Sequence, residues 1–371
     1  MEHLPQSELF YQIALTQTDL VGSKTARQLL RHFTTAKAIF EAPPKQIAAI
    51  EGIGAKTISA LRDGIDRVRV ERELQFIHKH HIRPLFIADE HYPARLKHCE
   101  DAPPLLYYKG SDNILNGKKM VAIVGTRKNT DYGTKMTEDL VTALQQLDVV
   151  IVSGLALGID VIAHRKALQL GIPTIGVMAH GMDNIYPPQH KHIAKEMLQN
   201  GGLLTEYASG TPPDKFNFPM RNRIVAGMCD VAVVVETETK GGAMITAKLA
   251  ASYNREVMAF PGRVVDKKSE GCNYLIRANM ATLINNGADL IASMAWETHT
   301  KKNVAIQQRL FGHMSDDEKK IADILAQTEG MHIDELQLKS GWGNSRLASL
   351  LLTMELAGAL KSLPGKRYRM A

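Results

Sequence analysis

The chain has 371 residues, 44% of them hydrophobic, and its 45 lysines and arginines against 39 aspartates and glutamates give a net charge of +6. This length predicts two or three domains. The three cysteines are widely separated and form no CxxC pair, which argues against a disulfide framework and a zinc site. No run of about 18 apolar residues predicts a membrane span, and the polar, acidic N-terminus does not predict a signal peptide. The positive charge is compatible with a polyanionic partner, but the position of the cations matters more than their number.

The first region, residues 1–70, is predicted to be a wholly helical tandem helix-hairpin-helix domain. Two similar segments, DLVGSKTARQLLRHF at 19–33 and AIEGIGAKTISALRDG at 49–64, each place a glycine turn before an amphipathic helix. Such a turn exposes backbone N–H groups that can hold a DNA phosphate. The pattern is equally typical of a plain αα-hairpin, and the sequence leaves both interpretations open, although Lys24 and Lys56 favour DNA.

The second region, residues 71–298, is predicted to be an α/β, extended Rossmann-like core built on a parallel sheet. Short apolar runs alternate with helical segments, and the runs are continuous, which indicates strands buried on both faces. Residues 71–118 are interpreted as an irregular lead-in packed on that sheet. The predicted strands are 120–125, 148–154, 173–179, 202–207, 230–236 and 256–262, with a seventh at 281–284.

The third region, residues 315–371, follows a predicted polar linker at 299–314 and is predicted to be a winged helix. Helical patterns at about 316–327, 332–339 and 343–357 precede a short basic hairpin. The cations of this hairpin are Lys361, Lys366, Arg367 and Arg369. DNA contact and protein docking or dimer support both fit this pattern, and the sequence does not separate them.

The ends of the predicted strands carry the residues that suggest a function. In an open α/β sheet, ligands bind beyond the carboxyl ends of the strands, at the crevice where the strand order reverses. Two features recur there: cations, and glycines that open helices and offer free backbone N–H groups. Both suit a phosphate, so the sequence predicts an anion site at this edge. The cations are Arg127, Lys128, Arg221, Arg223, Lys240 and Arg263.

The anion is not predicted to be a dinucleotide or a nucleoside triphosphate. GxGxxG is absent after the first parallel strand, no acid ends the second, and GxxxxGK[ST] does not occur. The segment TKGGAMIT at 239–246 resembles the PGGxGTxxE loop of nucleotide phosphoribohydrolases. The AKLA that follows it supplies no carboxylate for acid–base catalysis, and a role for the preceding Glu236 and Glu238 stays open.

Asp160 and His164 lie four residues apart on one face of a predicted helix. Two ligands without a third partner do not make a metal site. We therefore expect Asp160 to lie in the first helical turn, where the helix dipole favours a carboxylate, and His164 to make an internal hydrogen bond.

Two aromatic residues, Phe216 and Phe218, precede Arg221 and Arg223. Exposed aromatic faces beside cations form a stacking platform for unpaired bases. We expect one ring in the core and the other near the predicted anion site.

Six motifs together closely resemble the DNA-processing protein A family, also called Smf. They are GTR at 125–127, SGLALGIDVIAH at 153–164, GMDNIYPPQH at 181–190, FPMRNRIVAG at 218–227, GGAMITA at 241–247 and REVMAFPG at 255–262. The resemblance spans most of 80–296, and both flanking domains fit it. It implies a bacterial cytoplasmic protein that binds single-stranded DNA without strong sequence preference, forms homodimers, protects incoming DNA during natural transformation and loads the RecA recombinase. It implies no established catalytic activity, and we expect no cofactor, metal ion or membrane partner.

The strand-end residues and the matching family motifs together give the candidate DNA site. The predicted contacts are Gly125, Thr126, Arg127, Lys128, Ser153, Gly154, Phe218, Arg221, Asn222, Arg223, Lys240, Gly241, Gly242 and Arg263. The main alternative is a phosphoribohydrolase-like enzyme acting in the same groove. A weaker alternative is a transcription regulator whose winged helix reads duplex DNA.

Overall fold

The computed structural model describes residues 7–111, 114–296, 315–326, 328 and 330–370. The predicted linker at 299–314 lies outside the described residues. Within them the predicted architecture is confirmed: helix-hairpin-helix segments, then an α/β core, then a winged helix. No helix in the described part of the chain is long and apolar enough to cross a membrane.

Five short helices form the N-terminal part, and Gly22 and Gly54 precede the two helices predicted from the repeated segments. The helices are α1 (Glu8–Gln17), α2 (Ser23–His32), α3 (Ala36–Glu41), α4 (Pro44–Ala48) and α5 (Ala55–Arg62). Ile13 and Leu29 are fully buried among them. The same cluster includes Phe86 at the edge of the central sheet, so the helices pack on the core rather than standing apart.

The predicted irregular lead-in is instead regular, and this prediction was wrong. It contains α6 (Arg67–Lys79), β1 (Arg83–Phe86), α7 (Ala94–Lys97) and β2 (Leu105–Gly110). β1 pairs antiparallel with β2, which extends the sheet at its edge. Pro84 lies within β1, and proline in a short apolar run argues against a strand except at a sheet edge, which is where β1 lies.

Seven parallel strands follow, each near its predicted position. They are β3 (Lys119–Val124), β4 (Val149–Ser153), β5 (Thr174–Val177), β6 (Gly201–Thr205), β7 (Val231–Val234), β8 (Glu256–Ala259) and β9 (Thr282–Leu283). The strand order is β1-β2-β6-β5-β4-β3-β7-β8-β9. After β6 the chain returns to the other side of β3, so the strand order reverses between β3 and β7.

Helices cover both faces of this sheet. They are α8 (Asp131–Ala143), α9 (Ile159–Gln169), α10 (Lys191–Met197), α11 (Asn217–Gly227), α12 (Gly242–Ser252), α13 (Glu270–Arg277) and α14 (Gly287–Ser293). Along β3, Val121 and Ile123 belong to one buried cluster, whereas Ala122 and Val124 belong to another. The continuous apolar strands are therefore buried on both faces, as the sequence predicted.

The C-terminal part is a winged helix. It consists of α15 (Asp316–Ala326), β10 (Met331–His332), α16 (Ile333–Ser340), α17 (Asn344–Leu356), β11 (Leu360–Leu363) and β12 (Arg367–Met370). The three strands pair in the order β10-β12-β11. Leu336, Leu347 and Leu351 are buried at its centre, which gives this part a core of its own.

Candidate functional site

An open cleft of about 750 Å³ lies at the carboxyl ends of β3 and β7, where the strand order reverses. Four segments form most of its walls: the loops after β3, β4 and β7, and the segment that leads from β6 into α11. Most of the predicted contacts meet here. Those that line the cleft are Gly125, Thr126, Arg127, Lys128, Gly154, Phe218, Arg221, Asn222, Lys240, Gly241 and Gly242.

Arg127 and two aromatic rings form one group in this cleft. The guanidinium carbon of Arg127 lies 4.9 Å from the centroid of the Phe218 ring. The Tyr186 ring lies 5.8 Å from that of Phe218, centroid to centroid, and Tyr186 is 44% exposed. A cation at this distance from a ring face is attracted by the ring quadrupole, so Arg127 and Phe218 hold each other in place beside an open surface.

Phe216 corrects one expectation. The sequence predicted one ring in the core, but Phe216 is 70% exposed and Phe218 is only partly buried at the cleft. Phe216 precedes the first turn of α11, and the Nζ of Lys215 lies 5.0 Å from its ring centroid. The Phe216 ring is therefore open to solvent, whereas the Phe218 ring lies at the cleft in contact with Arg127 and Tyr186.

Glycine lets the loops after β3 and β4 approach each other closely. Gly158 has a φ of +77°, and a Cβ there would lie 2.2 Å from the carbonyl oxygen of Thr126. A side chain at Gly158 would therefore be strained by its backbone conformation and would also clash. The two loops that carry Arg127 and Gly154 are held together by this contact.

Arg221 lies at the base of the cleft and is 4% exposed. Its Nη1 donates to the carbonyl oxygen of Gly154 at 2.6 Å and also to that of Val177. Burial lowers the pKa of Arg221 to about 10, so it stays charged at neutral pH. The Arg221 guanidinium therefore supports the loop after β4 and supplies positive charge at the base of the cleft. A direct contact between Arg221 and a phosphate stays a prediction.

Asp160 balances that buried charge. Its carboxylate accepts hydrogen bonds from the backbone N–H groups of Gly154 and Ala156, and it lies in the first turn of α9. Burial raises the pKa of Asp160, while the neighbouring Arg221 guanidinium acts in the opposite direction. The expected position of Asp160 is confirmed.

His164 makes the expected internal hydrogen bond. Its Nδ1 lies 2.7 Å from Thr174 Oγ1, and burial lowers the pKa of His164 to about 3. In the described part of the chain, no group of three His, Cys, Asp or Glu side chains lies close enough together to hold a metal ion.

The acids nearest the cleft are engaged in other contacts. Glu236 is buried and accepts hydrogen bonds from the Thr130 N–H and hydroxyl at the start of α8. Glu238 forms an ion pair with Lys268 at 2.6 Å, and this partner lowers the pKa of Glu238. Glu236 therefore stabilises a helix start, and Glu238 is held in its ionised form.

Three predicted contacts do not line this cleft: the structure corrects two of them, Ser153 and Arg223, and contact with Arg263 stays a prediction. Ser153 is fully buried and donates its hydroxyl to the Ile123 carbonyl oxygen. Arg223 is 4% exposed and forms an ion pair with Glu206. Arg263 lines a neighbouring cleft.

The misplacement of Arg223 has a simple cause. Strand-end position groups Arg221 and Arg223 together, but both lie on α11. Residues two apart on a helix point about 200° apart, so only one of the two can face the cleft.

Several residues that line the cleft were not predicted. They are Tyr186, Lys215, Ile245, Thr246 and Lys268. The sequence positions of two of them could have indicated their place. Lys215 adjoins the aromatic pair, and Thr246 lies one helical turn after Gly242 on the same face of α12.

The two hairpins of the N-terminal part differ in what they contact. Lys24 in α2 forms an ion pair with Glu100 at 2.8 Å, and Arg27 donates to the Cys99 carbonyl oxygen. The start of α2 therefore faces the core and favours the packing interpretation for the first hairpin. Lys56, at the start of α5, is exposed, so the second hairpin leaves both interpretations open.

The wing of the winged helix also packs on the core. The backbone N–H of Gly365 donates to Glu256 Oε1 at 3.1 Å, and Lys366 Nζ donates to Asn254 Oδ1 at 2.6 Å. These contacts lie at the amino end of β8, opposite the cleft. On α17, Leu352 and Leu356 are 57% and 80% exposed. The occupied wing tip and the exposed leucines favour protein docking over DNA contact for this part.

Comparisons with known proteins agree with the sequence motifs. The family model for DNA recombination-mediator protein A matches residues 83–295, that for the DprA winged helix domain matches 310–366, and that for a SAM-like helix-hairpin-helix tandem matches 13–67. The chain is 31% identical to protein Smf of Synechocystis sp., over 99% of this chain and 100% of that protein.

Two solved structures are similar as well. DNA processing protein A (DprA) from Streptococcus pneumoniae is 34% identical with a TM-score of 0.68, over 78% of this chain and 98% of that one. DNA processing protein A from Helicobacter pylori, described for its single-stranded DNA binding mode, is 33% identical with a TM-score of 0.53. That similarity covers 58% of this chain and 96% of the other.

Proposed function

The chain belongs to the DNA recombination-mediator protein A family, and we propose that its strand-end cleft binds single-stranded DNA without reading the sequence. The observation that carries this proposal is the group of Arg127, Phe218 and Tyr186 in one open cleft. Cations in such a cleft pair with phosphates, and aromatic faces stack on bases of any identity.

The aromatic rings favour a single strand over a duplex. In a duplex the base faces are stacked on one another, so an open ring gains nothing from them. In an unpaired strand each base face is free, and stacking is worth about 1–3 kcal/mol per base. The glycines that open α12 add backbone N–H groups and the positive end of a helix dipole for a phosphate.

A non-catalytic role is the proposal that the acids support. A phosphoribohydrolase needs a carboxylate free to exchange a proton at the cleft. Asp160, Glu236 and Glu238 are each held by hydrogen bonds or an ion pair with other protein groups. This arrangement leaves the cleft suited to binding.

The family resemblance carries the finer proposals. We propose that the chain is a bacterial cytoplasmic protein that acts as a homodimer. We also propose that it protects incoming DNA during transformation and loads RecA. We also propose domain boundaries near residues 70 and 298, with a linker to the winged helix. Sedimentation equilibrium tests the homodimer. RecA assembly on a DNA strand already covered by a single-strand-binding protein tests the loading.

The experiment that tests DNA binding uses the full chain. Its affinity for labelled oligo-dT is compared with that for a mixed-sequence duplex at moderate salt, and nucleoside monophosphates are incubated with the same preparation. We expect tight binding of the single strand, weaker binding of the duplex and no release of free base. Base release without oligo-dT binding would establish the enzyme alternative, and preferential binding of one duplex sequence would establish the regulator.

A further inference from the structure

A second open cleft of about 880 Å³ lies beside the first, between the start of α8, the loop after β8 and the start of α13. Lys268 lines both clefts, so the two are direct neighbours. Lys128 and Lys267 are also close to the junction, because both act electrostatically on Glu238, the partner of Lys268. The boundary between the clefts therefore carries three lysines, Lys128, Lys267 and Lys268, grouped around Glu238, and we call it the lysine ridge.

The second cleft has the same kinds of groups as the first. Tyr132 is 41% exposed, and its hydroxyl donates to the Pro261 carbonyl oxygen at 2.6 Å, which fixes the ring at the rim. Arg263 and Lys267 are exposed, and neither has an acidic partner within 4 Å in the described residues. Val265, 86% exposed, adds an apolar surface beside them.

The charge in the second cleft is nearly balanced. Asp131 and Asp266 share its lining with Arg263 and Lys267. A polyanion would therefore be held weakly by charge alone, and the exposed ring and valine would contribute a larger share of the binding than in the first cleft. Because charge alone would hold a polyanion only weakly there, the second cleft fits an extension of the first cleft better than a separate binding site.

We infer that a DNA strand bound in the first cleft continues across the lysine ridge into the second cleft. There an unpaired base stacks on Tyr132, and the backbone passes between Arg263 and Lys267. This inference rests on the proposed function. It adds a second base-stacking position and a direction in which the strand leaves the first cleft.

The inference predicts how affinity depends on the length of the strand. An oligonucleotide that fills only the first cleft gains nothing from Tyr132, whereas a longer one does. Because a longer strand also meets Arg263 and Lys267, its slope of log K against log salt should be steeper by up to about 1.4 than that of a strand confined to the first cleft.

The test is a series of labelled oligo-dT strands from about 4 to 16 nucleotides, spanning the site sizes of single-strand-binding folds. Their affinities for the full-length wild type, Tyr132→Ala, Tyr132→Phe and the double variant Arg263→Ala/Lys267→Ala are measured by fluorescence anisotropy. The ratio of wild-type to variant affinity is taken at each length, so any avidity from oligomers cancels.

We expect Tyr132→Ala to lower affinity for the longest strands at least about fivefold, the low end for loss of one stacked base, and to leave the shortest unchanged. Tyr132→Phe keeps the ring and should retain most of the affinity. The double variant alters only exposed side chains and should also lose affinity for long strands alone. A ratio that is the same at every length for both Tyr132→Ala and the double variant would overturn the inference. Failure of the wild type to bind any strand would overturn the proposed function instead.

Discussion

Replacing Arg127 by alanine should weaken single-strand binding and flatten its dependence on salt. Four cleft cations are exposed and form no ion pair in the described residues: Arg127, Lys128, Lys215 and Lys240. Each neutralised phosphate contributes about −0.7 to the slope of log K against log salt, so four contacts predict a slope of about −2.8. Raising salt from 50 to 200 mM should then weaken binding about 50-fold for the wild type.

Without Arg127 three contacts remain, and the slope should fall to about −2.1, which corresponds to about a 20-fold loss over the same salt range. Arg127 is exposed, so the substitution should leave folding intact. Arg127→Lys keeps the charge and should keep the slope, but it loses the planar contact with Phe218. The assay is a titration, at four or more salt concentrations, of an oligo-dT short enough to fill only the first cleft.

The matched control is Lys339→Ala. Lys339 lies on α16 in the winged helix, which contacts the core at the end of β8 opposite the cleft. The variant removes the same charge and should leave the slope unchanged. If Arg127→Ala keeps the wild-type slope, or if Lys339→Ala changes it equally, the cleft does not bind the phosphates and the reasoning is refuted.

Three further predictions concern the framework of the site. Gly154→Ala places a Cβ 2.4 Å from Arg221 Nη2 and should destabilise the protein by about 1–3 kcal/mol in urea denaturation. Arg223→Ala leaves Glu206 buried without its partner and should cost about 3–5 kcal/mol, since burial already raises the pKa of that carboxyl. The unfolded chain binds a proton at His164 near pH 6.5, but the folded protein does so only near pH 3. Stability should therefore fall by about 3 kcal/mol as the pH drops from 6.5 to 4, and His164→Gln should reduce that slope.

Each of these predictions has a defined contrary result. A wild-type urea denaturation curve for Gly154→Ala would mean that Arg221 moves aside without cost. If replacing both Arg223 and Glu206 by apolar residues were as destabilising as Arg223→Ala alone, the loss would not come from an unpaired buried charge. An identical pH dependence of stability in His164→Gln and the wild type would show that other groups govern acid unfolding.

The sequence by itself determined the order of the elements and the edge of the sheet that carries the site. Continuous apolar runs such as that of β3 identify strands buried on both faces, because only such strands lack a polar alternation. Parallel strands bring all their carboxyl ends to one edge, so Arg127, Gly154 and Lys240 could be grouped before any coordinates were known. The two antiparallel strands β1 and β2 were missed because their stability comes from pairing with the sheet and not from their own short patterns.

Only the tertiary structure decided which of the grouped side chains face the cleft. Arg221 and Arg223 are two residues apart and chemically identical, yet the helical phase of α11 directs one to the cleft and the other to Glu206. Arg263 follows a strand like the other cations, but its loop opens into the second cleft. Side-chain direction depends on the local backbone and on the neighbouring elements packed against it. Residue type and strand position therefore identify the candidates, and the packed fold selects among them.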